Sequence, residues 1–152
     1  MDFKDKVVLV TGGSRGLGRA MAKGFARAGA RVIVASRKLE ACESTVAEIR
    51  EAGGEATAVA AHMGDTGSLD KLVDASYASY GRVDILINNA GINVGMGPLS
   101  DLTPQLYDKM YEVNQRGPWY LASRLAPKMG EDGGGCIINL LSVAGLKPPA
   151  YM

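Results

Sequence analysis

Short, wholly apolar runs alternate along this chain with longer amphipathic stretches, and that alternation restricts the fold more than any other feature. Residues 7–10, Val-Val-Leu-Val, are apolar and mostly β-branched, the pattern of a strand covered on both faces in a parallel sheet. Leu17, Met21, Phe25 and Ala28 then recur at helical spacing while Arg19, Lys23 and Arg27 take another face, which predicts an amphipathic helix ended by Gly29. The pattern repeats with a strand over 31–35 and a helix marked by Leu39, Cys42, Val46 and Ile49 that runs out at Gly53-Gly54. A strand over 55–61 follows, then a helix with Leu69, Leu72, Val73, Ser76 and Tyr80 along one side, then a buried strand over 83–87. Thr103-Pro104 has the cap and first-turn chemistry of a helix start, and helical character continues to about Met129, with Gly117-Pro118 bending or interrupting it. Residues 136–141 read as a fifth strand.

Strands alternating with helices of this length imply an α/β fold: a parallel sheet with helices on both faces, joined by right-handed crossovers. Such a sheet binds ligands beyond the carboxyl ends of its strands, and residues 11–18 and 88–91, glycine-rich or polar, fall directly after strands. A length of 152 residues fits one domain able to bury a core, and 47% hydrophobic with 22% charged residues argues against disorder. The net charge of +1, with acids and bases interleaved, gives no nucleic-acid face and no membrane-surface helix, so the partners expected are small molecules or protein. Cys42 and Cys136 form no Cys-x-x-Cys pair, so neither a disulfide framework nor a metal site is expected, and a reduced cytoplasmic setting is the default. The start of the chain lacks an apolar signal core, and no run approaches the roughly 18 apolar residues that span a bilayer.

Thr11-Gly12-Gly13-Ser14-Arg15-Gly16-Leu17-Gly18 lies between the first strand and first helix, where backbone amides can converge on a phosphate and glycines remove side chains that would block it. Its spacing, Gly-x-x-x-Gly-x-Gly after a threonine, resembles the fingerprint of the classical short-chain dehydrogenase/reductase family. Asn88-Asn89-Ala90-Gly91 resembles that family's Asn-Asn-Ala-Gly element, which supports the sheet centre and borders the cofactor. Val113-Asn114 resembles its catalytic-helix asparagine, and Ile138-Asn139-Leu140-Leu141-Ser142-Val143-Ala144-Gly145 its active-site serine segment. The resemblance implies a Rossmann-like doubly wound parallel sheet and a dinucleotide held by Thr11, Gly12, Ser14, Arg15, Gly16, Leu17 and Gly18, with Asn89, Ala90 and Gly91 along its border. In dinucleotide folds an acid at the end of the second strand binds the ribose 2′-hydroxyl, whereas a cation there pairs with a 2′-phosphate. This chain has Ala35-Ser36-Arg37-Lys38, so Ser36, Arg37 and Arg15 favour NADP(H) over NAD.

The family usually places an aspartate against the adenine after the third strand. Here Ala61-His62-Met63 puts His62 at that point with Met63 beside it, so the adenine contact is left open; His62, the one histidine, is expected at the adenine end rather than in acid–base catalysis. The resemblance further implies that Ser142 orients a substrate carbonyl or alcohol oxygen, while a tyrosine moves the proton, a lysine lowers that tyrosine's pKa, and Asn114 positions the lysine through water. That tyrosine belongs about thirteen residues after Ser142, with its lysine about four further on, beyond Met152. Tyr151 comes too soon and has no following lysine, so it is expected either to line the substrate mouth or to be the frayed end of a cut chain rather than to react. The expectation is therefore a dinucleotide-binding domain over 1–152 that ends after about the fifth strand, is C-terminally incomplete, leaves residues 136–141 as an apolar edge, and is inactive alone. The parent is expected to interconvert an alcohol and a ketone or aldehyde. It is expected to pair with itself, because the stretch from Leu106 to Met129 resembles the family's pairing element. Two alternatives stay open: a non-catalytic nucleotide-binding or regulatory module without the tyrosine and lysine, and a structural partner that completes its sheet with another chain. The loop over 93–102 is expected near the substrate.

Overall fold

A computed structural model describes residues 2–93 and 98–147 of the chain; Tyr151 and the middle of the 93–102 loop lie outside the described residues. The strands are β1 (Val7–Thr11), β2 (Arg31–Ser36), β3 (Glu55–Ala60), β4 (Ile85–Asn88) and β5 (Cys136–Asn139). They pair in parallel in the order β3-β2-β1-β4-β5. Helices α1 (Gly16–Arg27), α2 (Leu39–Glu51), α3 (Thr66–Tyr80), α4 (Pro104–Tyr111) and α5 (Gly117–Glu131) connect them. The order reverses at β1: the chain winds outward to β3, then crosses back through α3 to place β4 on the other side. The chain leaving β1 runs to α1 on one face and the chain leaving β4 runs toward α5 on the other, and a crevice opens between them.

Alternation along β1 explains why Val7 to Val10 are all apolar. Val8 and Val10 join Val32, Val34, Ala22, Ala26, Cys42, Val46 and Ile49 on one face, under α1 and α2. Val7 and Leu9 join Ile33, Leu69, Leu72, Leu121, Leu125 and Met129 on the other, under α3 and α5. Covering each large aliphatic side chain stabilises by about 1.5–3 kcal/mol, which is what holds both layers of helices on the sheet.

Four sequence expectations need correction. Helix α1 turns Gly18, Ala22 and Ala26 fully inward, while Met21 and Phe25 of the apolar stripe pack half-buried beside them and Leu17 is 71% exposed. Small residues on that side let the helix axis approach the sheet, so volume rather than hydrophobicity decides which face turns inward. Strand β4 starts at Ile85 instead of 83, because Asp84 is committed to an anchor: its Oδ2 accepts from Val7 N–H at 2.9 Å, and Lys6 and Arg82 donate to the same carboxylate. Strand β5 ends at Asn139, where the Asn88 amide donates to the Asn139 side-chain oxygen at 2.9 Å, so Leu140 and Leu141 lie beyond it. The bend expected at Gly117-Pro118 is a π-helical segment, Glu112–Arg116, that links α4 to α5 without a break. Pro118 has no N–H to return to the carbonyl four residues back, and Gly117 N–H instead reaches Glu112 O, one residue further than in an α-helix.

β5 is an edge of the described sheet; Ile138 is 40% exposed and Leu141, beyond the strand, 89% exposed. No helix among the described residues is long and apolar enough to cross a membrane.

Candidate functional site

The carboxyl ends of β1, β2, β3 and β4 open into one cleft of about 630 Å³. Its floor is the turn after β1. Gly12 takes φ +65°, and a Cβ there would lie 2.8 Å from the Asn89 amide nitrogen, so only glycine lets the turn lie against β4's exit. Thr11, almost wholly buried, holds the two strand ends together: its hydroxyl donates to Ile87 O at 3.2 Å and accepts from the Asn89 and Ala90 N–H groups, each at 3.1 Å. The Asn89 amide answers by donating to Thr11 O at 2.9 Å.

Two helices start at this cleft, and both begin without a side-chain cap. The cap position of α1 is Arg15 and that of α2 is Lys38, cations with no acceptor to offer the first-turn amides. The N–H groups of Gly16, Leu17 and Gly18 have no acceptor among the described residues. Elsewhere the usual rule holds: Asp65 caps α3 by accepting from Gly67 N–H at 2.9 Å, and Thr103 caps α4 by accepting from Leu106 N–H at 3.3 Å. Charge along the cleft has one sign. Arg15, Arg37, Lys38 and Lys109 line it, and no carboxylate does among the described residues. Uncapped amides, helix dipoles and cations together make a receptor for a multiply charged anion, which is what a dinucleotide phosphate requires.

The structure brings Thr11, Gly12, Ser14, Arg15, Gly16, Leu17, Gly18, Ser36, Arg37, His62, Met63, Asn89, Ala90 and Gly91 together along this cleft. The Ser36 hydroxyl lies 3.1 Å from the Cys42 sulfur and 3.4 Å from Lys38 O, and burial pushes the Cys42 thiol pKa up, so that neighbour is a neutral thiol. Asn114 and Ser142 do not line the cleft. Asn114 sits in the π segment and clamps the chain beyond β4: its Oδ1 accepts from Ile92 N–H and its Nδ2 donates to Ile92 O, both at 2.8 Å. Ser142, after β5, heads a short 3-10 turn and accepts from Ala144 N–H at 3.2 Å.

Sequence reasoning left Lys109 and Val113 without a role. They lie one helical turn apart, and that spacing was the available signal. What the spacing lacked was direction. Asp132, just past the end of α5, accepts from the Tyr77 hydroxyl at 3.0 Å and from Arg82 near the start of β4, so the helix descends past the sheet and α4 stands above the strand ends. Among the described residues no group of His, Cys, Asp and Glu side chains could hold a metal.

Comparison with known proteins adds to this geometry. The family model for short chain dehydrogenase matches residues 6–152. A human protein named dehydrogenase/reductase SDR family member 4 is 33% identical over 144 residues, covering 95% of this chain and 52% of that protein. Sorbitol dehydrogenase of Cereibacter sphaeroides is 38% identical over 153 residues, covering 100% of this chain and 58% of its own length. The chain thus spans about half the length of the curated relatives it matches. A metagenomic short-chain oxidoreductase crystallised in complex with NADP superposes with a TM-score of 0.92 at 36% identity, over 98% of this chain and 67% of that one. The matched span takes in every residue of the cleft, and the chain belongs to the short-chain dehydrogenase family of oxidoreductases.

Proposed function

We propose that this chain is the dinucleotide-binding part of an NADP(H)-dependent oxidoreductase that interconverts an alcohol and a ketone or aldehyde. The observation that carries the reading is a cleft with two uncapped helix starts, cations on its walls and no carboxylate among the described residues. The amides of Gly16, Leu17 and Gly18 would hold the pyrophosphate, where a capping side chain would otherwise compete. Arg37, Ser36 and Arg15 would hold the 2′-phosphate; a guanidinium can grip it with two parallel hydrogen bonds, and no acid stands at the end of β2 to repel it. Asn89, Ala90 and Gly91 would border the nicotinamide ribose, and His62 with Met63 the base.

Bound nicotinamide supplies or accepts the hydride. Ser142 would orient the substrate oxygen from the end of β5, next to β4 and so beyond the nicotinamide border. Asn114 is a positioning residue, fixing Ile92 and with it the neighbouring Gly91. Among the described residues none is assigned the proton transfer.

The test is a fluorescence titration with NADPH and NADH. Saturable binding with NADPH at least about tenfold tighter is expected, the value of one charge-assisted contact set. Absence of binding by both would reject the proposal.

A further inference from the structure

Cys42 is wholly buried in the apolar cluster under α1 and α2, yet its sulfur makes its shortest polar contact with a side chain of the cleft wall. The Ser36 hydroxyl, at the end of β2, lies 3.1 Å from Cys42 Sγ, whereas Val59 O is 3.9 Å away. Ser36 lines the cleft and Cys42 does not, so the thiol meets the hydroxyl from behind. Ser36 Oγ has one further contact, with Lys38 O at 3.4 Å, long for a hydroxyl donor. Lys38 O does not depend on it, because Cys42 N–H also donates there at 3.3 Å.

The number of hydrogens assigns the direction of the bond. A hydroxyl has one, and a carbonyl oxygen can only accept, so the contact with Lys38 O uses the hydrogen of Ser36. The thiol then donates to Ser36 Oγ. The reverse arrangement would spend the hydroxyl hydrogen on sulfur, a weak acceptor, and leave the thiol only the 3.9 Å contact with Val59 O. Burial pushes the Cys42 pKa up, so the thiol keeps the proton it donates and sets no negative charge behind the cleft wall.

An anion in front of Ser36 changes this pair without orphaning any group. The hydroxyl hydrogen turns from Lys38 O to the anion, Lys38 O keeps Cys42 N–H, and the thiol goes on donating to Ser36 Oγ. Among the described residues no other group donates to that oxygen. We infer that Cys42 is a positioning residue for cofactor choice: its thiol holds Ser36 Oγ at the cleft wall with the hydroxyl hydrogen available to a phosphate, and so favours the 2′-phosphorylated dinucleotide. The inference rests on the dinucleotide reading above and deepens it, adding to Ser36 the buried group that aims it.

The experiment measures dissociation constants for NADPH and NADH by nicotinamide fluorescence on the wild-type protein, Ser36→Ala, Cys42→Ala and the double variant. The quantity read is the preference for NADPH, the ratio of the two constants, in which a general loosening of the buried cluster cancels. Ser36→Ala is expected to lower the preference about fivefold and Cys42→Ala about threefold, the thiol being the weaker donor. Added to Ser36→Ala, Cys42→Ala is expected to lower it no further, because the thiol acts only through the hydroxyl. A preference that Cys42→Ala leaves unchanged or raises overturns the inference, a rise meaning that the hydroxyl had been donating to sulfur. An equal fall with and without the Ser36 hydroxyl also overturns it, since the start of α2 would then have shifted as a whole. Should Cys42→Ala not fold, Cys42→Val, which fills the space without a donor, is read in the same way. NADPH binding by the wild type with any overturning outcome leaves the dinucleotide reading standing, whereas failure of both cofactors to bind the wild type removes both.

Discussion

Glycine 18 and glycine 24 lie on the same helix, and alanine at the two positions is expected to act in opposite directions. At Gly18 an added Cβ would meet the Asn89 amide nitrogen at 2.5 Å and the Gly12 carbonyl carbon at 2.8 Å, and would be closer still to the Gly12 oxygen. None of these neighbours can turn aside. Two belong to backbone, and the Asn89 amide is tied to Thr11 O at 2.9 Å. Relief needs α1 and the turn to separate by about 1 Å, an overpacking cost of about 1–3 kcal/mol, against which the helix preference of alanine returns about 1 kcal/mol. The net loss is about 1–2 kcal/mol of stability. The displaced amides are those assigned to the pyrophosphate, so the NADPH dissociation constant should rise about tenfold or more. Gly24 is exposed within α1, with nothing within 4 Å of an added Cβ and no unusual φ. Gly24→Ala should therefore stabilise by about 0.5–1 kcal/mol and leave binding unchanged. Urea unfolding followed by circular dichroism gives both stabilities, and fluorescence titration gives both affinities. Equal stability and equal NADPH affinity for Gly18→Ala and wild type would refute the claim that close packing of α1 on the turn shapes this site.

Arg37→Ala should weaken NADPH about tenfold or more while changing NADH by less than about twofold, because in the proposed arrangement only the 2′-phosphate would meet that guanidinium; equal losses for both cofactors in parallel titrations would count against the assignment. Burial pushes the Asp84 carboxyl up, but hydrogen bonds from Val7 N–H, Arg82 and Lys6 outweigh it and hold the pKa below the usual carboxylate value. The ionised form is thus favoured by folding, and its contribution is present above about pH 4 and fades as pH falls through the lowered folded value. Asp84→Asn should cost about 2 kcal/mol at neutral pH, with a gap to wild type that narrows in unfolding curves below about pH 4; a gap constant across that range would exclude the ionic account. Asn114→Ala removes both 2.8 Å bonds to Ile92 and should cost about 1 kcal/mol, with faster amide hydrogen exchange at Ile92; unchanged exchange there would show that the clamp is not needed.

The sheet was legible because its strands are covered on two faces. A run such as Val-Val-Leu-Val has few other places to go, and the glycine turn after it marks where the backbone must come close to something else. What the sequence hid were features decided by contacts between distant segments. The inward face of α1 could not be read from hydrophobicity, since the sheet selects the small residues Gly18, Ala22 and Ala26 over the larger Leu17. The start of β4 depends on Asp84 meeting Val7, a partner 77 residues away. Lys109 lines the cleft from α4, a placement that depends on contacts between distant segments and is absent from any local pattern. His62 was visible as a departure from the family pattern, but the hydrogen bond its Nδ1 accepts from Gly64 N–H required coordinates.

The capping residues show how local and global demands are divided. A helix start normally gains about 1 kcal/mol from Ser, Thr, Asp or Asn at its cap, and α3 and α4 follow that rule with Asp65 and Thr103. Helices α1 and α2 forgo it with Arg15 and Lys38, and these are the helices whose first turns open on the cleft. An acidic cap there would satisfy the amides from within and set a negative charge where an anion has to sit. A cation leaves the amides free and adds charge of the useful sign, so the local stability lost at the cap is recovered only when a ligand supplies the missing acceptors. The same cap pattern would thus cost the unliganded fold and favour the liganded one, so the breach of a local rule at Arg15 and Lys38 supports the proposed site alongside the glycines.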